Sequence, residues 1–419
     1  MIKKIKGTRD FYPADMKKRQ YILGKTEEVL VSFGYQEYAA PILEPMELYA
    51  AKSSVEIIEK QSYTLTDRSG NTLVLRPELT PSLARMVAAK QNELPSLLRW
   101  YSFPDCWRYE APQKGRLRNF IQINVDLLGS DSIEADAEIV DIGMKVLDRI
   151  GIDMNAIEVR INDRRLLCSL LTDLGINESI QNSVISIIDE KNKLSQEKYE
   201  EKLMALSVPL STIKEMDTIL SNPEKILAEN PAAARLRETI SQLTALPQSC
   251  RIIFDPGLAR GFSYYTGIIF EYYDVSGDFK RAVCGGGRYD NLLSAVDGKP
   301  MSGVGFAVSD IVIETVLAEQ KIETVIPEKI SCSVIPYSNA EKTIATSIAN
   351  TLRDAGIPTL TALPPYTMKK QLKIASEQNV TYVILLMPDE IKNKQVILRN
   401  MKTGEQCIVD VENIINSLI

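Results

Sequence analysis

The chain has 419 residues, 45% apolar and 25% charged, which is enough for two or three domains with real cores and excludes a disordered or fibrous class. Its formal net charge of −6 argues against indiscriminate nucleic-acid binding, though not against a local basic patch. Histidine is absent and the six cysteines are scattered without a CxxC pair, which excludes Ser-His-Asp and Cys-His mechanisms, a disulfide framework and a zinc site.

In chain order, the basic start Met1 to Gly7 has no apolar segment behind it, so no secretion signal is read and a cytoplasmic protein is expected. Residues Asp15 to Phe33 predict an amphipathic helix closed by Gly34, followed by a strand from Tyr35 to Ala40. Two strands near Tyr63–Leu65 and Thr72–Leu75 flank the turn signal Asp67-Arg68-Ser69-Gly70. A helix from Pro81 to about Gln91 precedes Trp107 to Asp126, WRYEAPQKGRLRNFIQINVD. That segment sets Arg108, Lys114, Arg116 and Arg118 around a Gln113-Lys114-Gly115 turn and then alternates like a strand, as a triphosphate site on an antiparallel hairpin would. A charged, solvated hairpin is the bland alternative.

A helix is expected at Glu134 to Ile150, and a helix-rich, highly charged insertion from about 162 to 248. Strands are expected at Arg251–Phe254, Gly267–Tyr273, Ala282–Cys284 and Gly303–Val308. A linker near Ile322 to Glu328 opens a small domain whose strands (Ser331–Pro336, Thr359–Leu363, Tyr382–Leu386, Gln395–Asn400) alternate with helices (Ala340–Ala355, Met368–Gln378), implying a mixed or parallel sheet. The longest apolar runs, such as Val383–Met387, are strand-sized, so no membrane span is expected. The boundaries are 1–325, with the insertion inside it, and 326–419.

Arg76-Pro77-Glu78-Leu79-Thr80 offers a carboxylate and a hydroxyl suited to an ammonium group, or equally a helix cap at Thr80 with Pro81 behind it. Gly257 to Gly267, GLARGFSYYTG, sets Arg260 beside two phenols, where an arginine can hold developing negative charge without proton transfer; an arginine at a turn and two core tyrosines is the other reading. Cys284-Gly285-Gly286-Gly287-Arg288-Tyr289-Asp290 matches neither a Rossmann nor a P-loop fingerprint and reads as a close-approach loop or a flexible turn. Lys369, Lys370 and Lys373 lie near one helix face, a solvated face or a modest phosphate-contacting patch.

Taken in this order, the segments resemble the class II aminoacyl-tRNA synthetases, and specifically the histidyl-tRNA synthetase family, over essentially the whole chain. Lys6-Gly7-Thr8-Arg9-Asp10 is similar to the family's start, the helix and strand ending at Pro41 to motif 1, and Trp107–Asp126 to motif 2. LARGFSYYTG and CGGGRYD resemble the histidine-specific motifs; Lys369–Lys373 and Met401–Glu405 resemble the anticodon-binding module. The resemblance implies an α+β catalytic domain with a mainly antiparallel sheet, a helical insertion, and a small C-terminal α/β domain. It implies a homodimer built on motif 1, with ATP, Mg2+, histidine and tRNA(His) as cofactors and partners. Residue by residue, it assigns Arg108 to the α-phosphate, Glu110 to the adenine edge, Arg116 to the γ-phosphate and Phe120 to stacking on adenine. Glu78, Thr80 and Gln122 would take the α-ammonium, Asp126 and Tyr265 the imidazole nitrogens with Tyr264 beside them, and Arg260 the charge of adenylate formation.

Three departures stand out. No Lys or Arg occurs from Pro300 to Gln320, where motif 3 of the class ends in an ATP-contacting Arg. Ser263 stands where many relatives have Asp, and Asp126 replaces the more usual Glu. A plant-like and archaeal-like branch of the family shares the first two. The alternative reading is a non-catalytic, synthetase-like regulatory subunit of ATP phosphoribosyltransferase, which typically loses the motif 2 arginines that are present here. A ligase that attaches histidine to something other than tRNA is a third.

Overall fold

A computed structural model describes residues 2–50, 61–247, 249–259, 264–323, 326, 330–361 and 367–418. The chain divides into two compact units, Met1–Thr324 and Val325–Ile419. The large unit carries a three-stranded sheet and a nine-stranded one. The small sheet comprises β2 (Leu43–Pro45), β3 (Tyr63–Thr66) and β4 (Thr72–Leu75) in the order β2-β4-β3. The large sheet comprises β1 (Gln36–Glu37), β5 (Leu98–Ser102), β6 (Asp105–Trp107), β7 (Asn119–Leu128), β8 (Ile157–Asp163), β9 (Arg251–Phe254), β10 (Ile268–Asp274), β11 (Ala282–Arg288) and β12 (Gly303–Ser309). Its order is β1-β5-β7-β12-β11-β10-β8-β9, with β6 also on β7; only β1–β5 and β8–β9 run parallel.

The large sheet has two unlike faces because its strands alternate. In β7, Ile123, Val125 and Leu127 join the main apolar cluster with the helix Ile133–Ile150, while Phe120, Gln122, Asn124 and Asp126 fall on the opposite face by the two-residue period of a strand. That helix is well specified: Ser132 Oγ caps it by accepting from the Ala135 N–H at 3.2 Å, and Gly151 closes it at φ 105°. It packs against the helices Pro13–Ser32 and Ala234–Ala245. A second cluster (Tyr38, Leu79, Leu83, Tyr265, Ile269, Tyr289) lies on the polar side of β7.

Several expectations shift. The strand at 35–40 is realised only as Gln36–Glu37. The helical insertion starts at Arg164, because Asn162 and Asp163 still belong to β8. The glycine run is a strand and not a flexible turn: Gly285, Gly286 and Gly287 are buried within β11, where a Cβ on Gly286 would clash with the Gly305 carbonyl oxygen. At the end of β11, fully buried Arg288 donates from Nε to Asp136 Oδ1 at 2.8 Å and from Nη1 to the Ser130 carbonyl at 2.9 Å, and pairs with Asp290 at 3.1 Å. Arg235 holds the other Asp136 oxygen at 2.8 Å.

In the smaller unit, β13 (Cys332–Pro336) lies between β14 (Thr359–Thr361) and β15 (Tyr382–Leu386), parallel to both, and β16 (Gln395–Asn400) and β17 (Gln406–Asp410) extend the sheet antiparallel. All of β13 is buried. Cys332 and Val334 pack with Ile348 and Leu352 of the helix Lys342–Asp354, while Ile335 packs with Ala375 of the helix Met368–Glu377. β17 escapes a sequence reading because it is mostly exposed and so lacks apolar alternation. Among the described residues no helix is long and apolar enough to cross a membrane.

Replacing Arg288 with Leu strands Asp136 with one of its two arginines, and breaking a buried pair on one side costs about 3 kcal/mol or more. Urea unfolding should register a loss of that size; a change below about 1 kcal/mol would show the pair to be dispensable.

Candidate active site

The sequence Gln113-Lys114-Gly115-Arg116 folds as a two-residue turn. Gln113 and Arg116 exchange backbone hydrogen bonds at 3.0 and 2.9 Å, and Gly115 has φ 73°, a left-handed conformation that favours glycine. A Cβ on Gly115 would also come 2.7 Å from the Phe279 ring, and Lys114 Nζ pairs with Glu319. The turn therefore rests on the loop that precedes β11. At the hairpin's base the Arg118 N–H donates to the Gly7 carbonyl at 2.8 Å, tying the amino-terminal segment to the same loop. Beside it Arg9 donates to Asp310 at 2.6 Å, and Asp310 Oδ1 accepts the Ile121 N–H at 3.0 Å, which fixes the start of β7.

Two adjoining cavities open on the polar side of β7. Arg108, Glu110, Arg116 and Phe120 line one of about 160 Å3. Glu78, Thr80, Gln122, Asp126, Tyr264 and Tyr265 line the other, of about 150 Å3, together with Asn124 and Tyr289. Arg108, Gln122, Gly285 and Ala307 belong to both walls. Every sequence-expected site residue except Arg260 is thus brought into one pair of cavities; Arg260 and Ser263 lie outside the described residues. Thr80 opens its helix with no side chain capping it, so the cap reading fails, and the residue lines the second cavity.

In the first cavity, Arg108 is braced by donating from Nε to the Pro77 carbonyl at 2.9 Å, and its guanidinium lies 5.2 Å from the centre of the Phe120 ring. Arg116 reaches Glu110 at 3.3 Å and is half exposed, so that pair is worth little by itself and is open to exchange for a charged ligand. The segment Pro300–Gln320 contributes Ser309, Ile311 and Val312 to this wall, none of them charged.

The second cavity holds buried polar groups. Tyr289 donates its hydroxyl to Asp126 Oδ1, while Asp126 Oδ2 and Asn124 Oδ1 are buried with no hydrogen-bond partner among the described residues. Burial pushes the Asp126 carboxyl up to about 7, against the lowering effect of the Tyr289 hydrogen bond. Cys106 donates to Gln122 Oε1 at 3.5 Å, and burial pushes its thiol up to about 12, so it stays neutral. The Tyr264 and Tyr265 rings pack at a tilt of 51°, 4.7 Å between centres, with Tyr289 edge-on to Tyr264 at 6.4 Å. Across the sheet Gly305 faces Asp126; a Cβ there would come 2.5 Å from both Asp126 Oδ1 and Tyr289 Oη. The unpaired Asn124 Oδ1 and Asp126 Oδ2 in this polar, tyrosine-flanked pocket call for polar partners from a ligand: an N–H donor at Asn124, and an acceptor or a donor at Asp126 according to whether its carboxyl is protonated.

Sequence reasoning missed Asn124 and Tyr289. The alternation that singles out Gln122 and Asp126 also runs through Asn124, so that signal was present. Tyr289 follows from the fold alone, since only the register of β7, β12 and β11 brings it to Asp126.

The histidyl-tRNA synthetase family profile matches residues 7–311, and an anticodon-binding domain profile matches residues 331–419. The histidine–tRNA ligase of Thermoplasma volcanium is 36% identical over 423 residues, covering 99% of this chain and 97% of the relative. That of Leptospira biflexa is 35% identical over 411 residues, covering 96% and 93%. The crystal structure of histidyl-tRNA synthetase from Nostoc sp. PCC 7120 shares the fold at a TM-score of 0.82 and 23% identity, covering 100% of this chain and 99% of that one.

Asp126 gives a pH signature. Unfolded, its carboxyl ionises near 3.8; folded, it stays protonated to about 7. The folded state therefore binds the extra proton across that window, and stability falls as pH rises through it, by about 1.4 kcal/mol per unit. Asp126→Asn should flatten this slope in urea unfolding between about pH 4 and 7; equal slopes in both proteins would rule out a buried neutral acid.

Proposed function

The chain belongs to the histidyl-tRNA synthetase family, and on that premise we propose that it activates histidine with ATP as histidyl-adenylate and transfers the histidyl group to the 3′ end of tRNA(His). The observation that carries the proposal is the common wall. A nucleotide cavity with cations and an amino-acid cavity with unpaired polar atoms meet at Arg108 and Gln122, where an α-phosphate and a carboxylate would have to meet.

The chemistry suits a protein without histidine. The substrate carboxylate is already an anion, so attack on the α-phosphorus needs no general base. A carboxylate oxygen–phosphorus bond forms and the bond to pyrophosphate breaks, its electrons leaving with pyrophosphate. Catalysis then consists of in-line positioning and of cations at the phosphates. In this reading Arg108 lies against the α-phosphate and Arg116 against the γ-phosphate, Phe120 stacks on adenine, and Glu110 takes its edge. Glu78, Thr80 and Gln122 hold the α-ammonium, and Asp126 and Tyr265 take the imidazole nitrogens with Tyr264 against the ring. Asn124 and Tyr289 join them on the strength of the unpaired Asn124 Oδ1 and the Tyr289–Asp126 hydrogen bond. Pairing both ring nitrogens with buried groups gives strong discrimination, because an analogue lacking either leaves them unsatisfied.

Mg2+ is read as the counter-ion of ATP. It keeps several waters and is held largely by substrate phosphates, and the described residues include no group of three acidic or cysteine side chains that would form a cage. Arg260 as a stabiliser of charge in adenylation, the homodimer and the cytoplasmic setting follow from the family likeness. Arg108 and Arg116 in the nucleotide cavity favour a ligase over the regulatory-subunit alternative.

Purified protein should catalyse histidine-dependent exchange of pyrophosphate into ATP; its complete absence would sink the ligase reading. Arg108→Ala should lower the exchange rate by about 100-fold or more, the cost of removing one charge-stabilising donor, with histidine binding changed far less.

A further inference from the structure

We propose that Arg281 is a phosphate-binding residue of the nucleotide cavity, contacting the β- and γ-phosphates of ATP and supplying the cation that the Pro300–Gln320 segment lacks. The identity of the nucleotide rests on the ligase reading; the location rests on three observations.

Arg281 directly precedes Ala282, the first residue of β11 and part of the cavity wall. Two residues earlier Phe279 packs under the Gly115 turn of the hairpin loop, so the backbone that presents Arg281 is fixed against the loop that presents Arg116. Its charged neighbours are Arg116 and Glu110, both of which line that cavity. Finally, its Nη1 is buried and has no hydrogen-bond partner among the described residues, an expensive state for a guanidinium unless an anion completes it.

Desolvation and the adjacent Arg116 charge both lower the Arg281 pKa, and only Glu110 opposes them. Two guanidiniums beside one carboxylate leave an excess positive charge beside the cavity that Arg116 and Glu110 line. An incoming triphosphate removes that repulsion, and the charge gathering on departing pyrophosphate meets a cation already in place. Nothing in the local sequence flags Arg281, which reads as one more charge in a polar turn before a glycine run.

Equilibrium binding of ATP and of AMP to the full-length wild type, Arg281→Ala and Arg281→Lys tests the proposal. Loss of a charge-assisted contact should weaken ATP binding by about 10-fold or more in Arg281→Ala and leave AMP within about two-fold, with Lys restoring part of the loss. In pyrophosphate exchange the same variant should raise the KM for ATP and leave that for histidine unchanged. Unaltered ATP binding, or equal loss of ATP and AMP, would overturn the assignment and make Arg281 a structural residue. A wild type that binds ATP yet shows no histidine-dependent exchange would sink the ligase reading, while the ATP–AMP difference still decides Arg281. A wild type that binds no ATP would remove both.

Discussion

Strand Asn119–Leu128 must bury one row of side chains and display the other, and the rest of the catalytic unit is arranged around that constraint. A strand's two-residue period leaves no freedom: once Ile123, Val125 and Leu127 enter the core, Phe120, Gln122, Asn124 and Asp126 must face the other way. A slip of one residue would drive Asp126 and Asn124 into the apolar layer, so the register is held strongly by burial. Asp310 reinforces it by accepting the Ile121 N–H, and is itself held by Arg9. With about 3.3 Å per residue, the four displayed side chains run from an aromatic in the first cavity to a carboxylate in the second.

The neighbouring strands are shaped by what this row needs. Gly305 lies opposite Asp126 and Gly287 lies against Tyr265, where a Cβ would come 2.8 Å from the ring. A side chain at either position would take the space of the pocket. The buried glycines are affordable in a sheet because Arg288 and Asp136 tie β11 to the helix behind it, replacing the packing that side chains would have supplied.

The architecture was readable from the sequence where it depends on local order. The helix at 133–150, the hairpin turn at Lys114-Gly115 and the alternation of β7 are each written in a run of neighbouring residues. The motifs then set those pieces in chain order, and the residues they single out gather in two cavities, Arg260 aside. What escaped depends on contacts between distant segments. Arg288 meets Asp136 across 152 positions, Tyr289 meets Asp126 across 163, and the glycine run is a strand only because β10 and β12 flank it. By itself it has turn composition, and local propensity is overruled by the sheet. β17 was missed for the opposite reason: its residues are mostly exposed, so no apolar rhythm marks it.

The two cavities differ in charge, and the difference bears on how a wall without cations is made good. In the second cavity Asp126 is buried and holds its proton well above the ordinary carboxylate range. At the nucleotide end the arginines are partly exposed: Arg116 is half open to solvent. Single exposed charges are weak, so several must act together on a polyanion. With Ser309, Ile311 and Val312 uncharged along one wall, the cations have to come from the hairpin loop and from the chain entering β11. Those two segments are locked together by the Gly115–Phe279 contact. A wall without arginine is thus tolerable to the extent that these two loops are held as a unit and keep their cations in place beside the cavity.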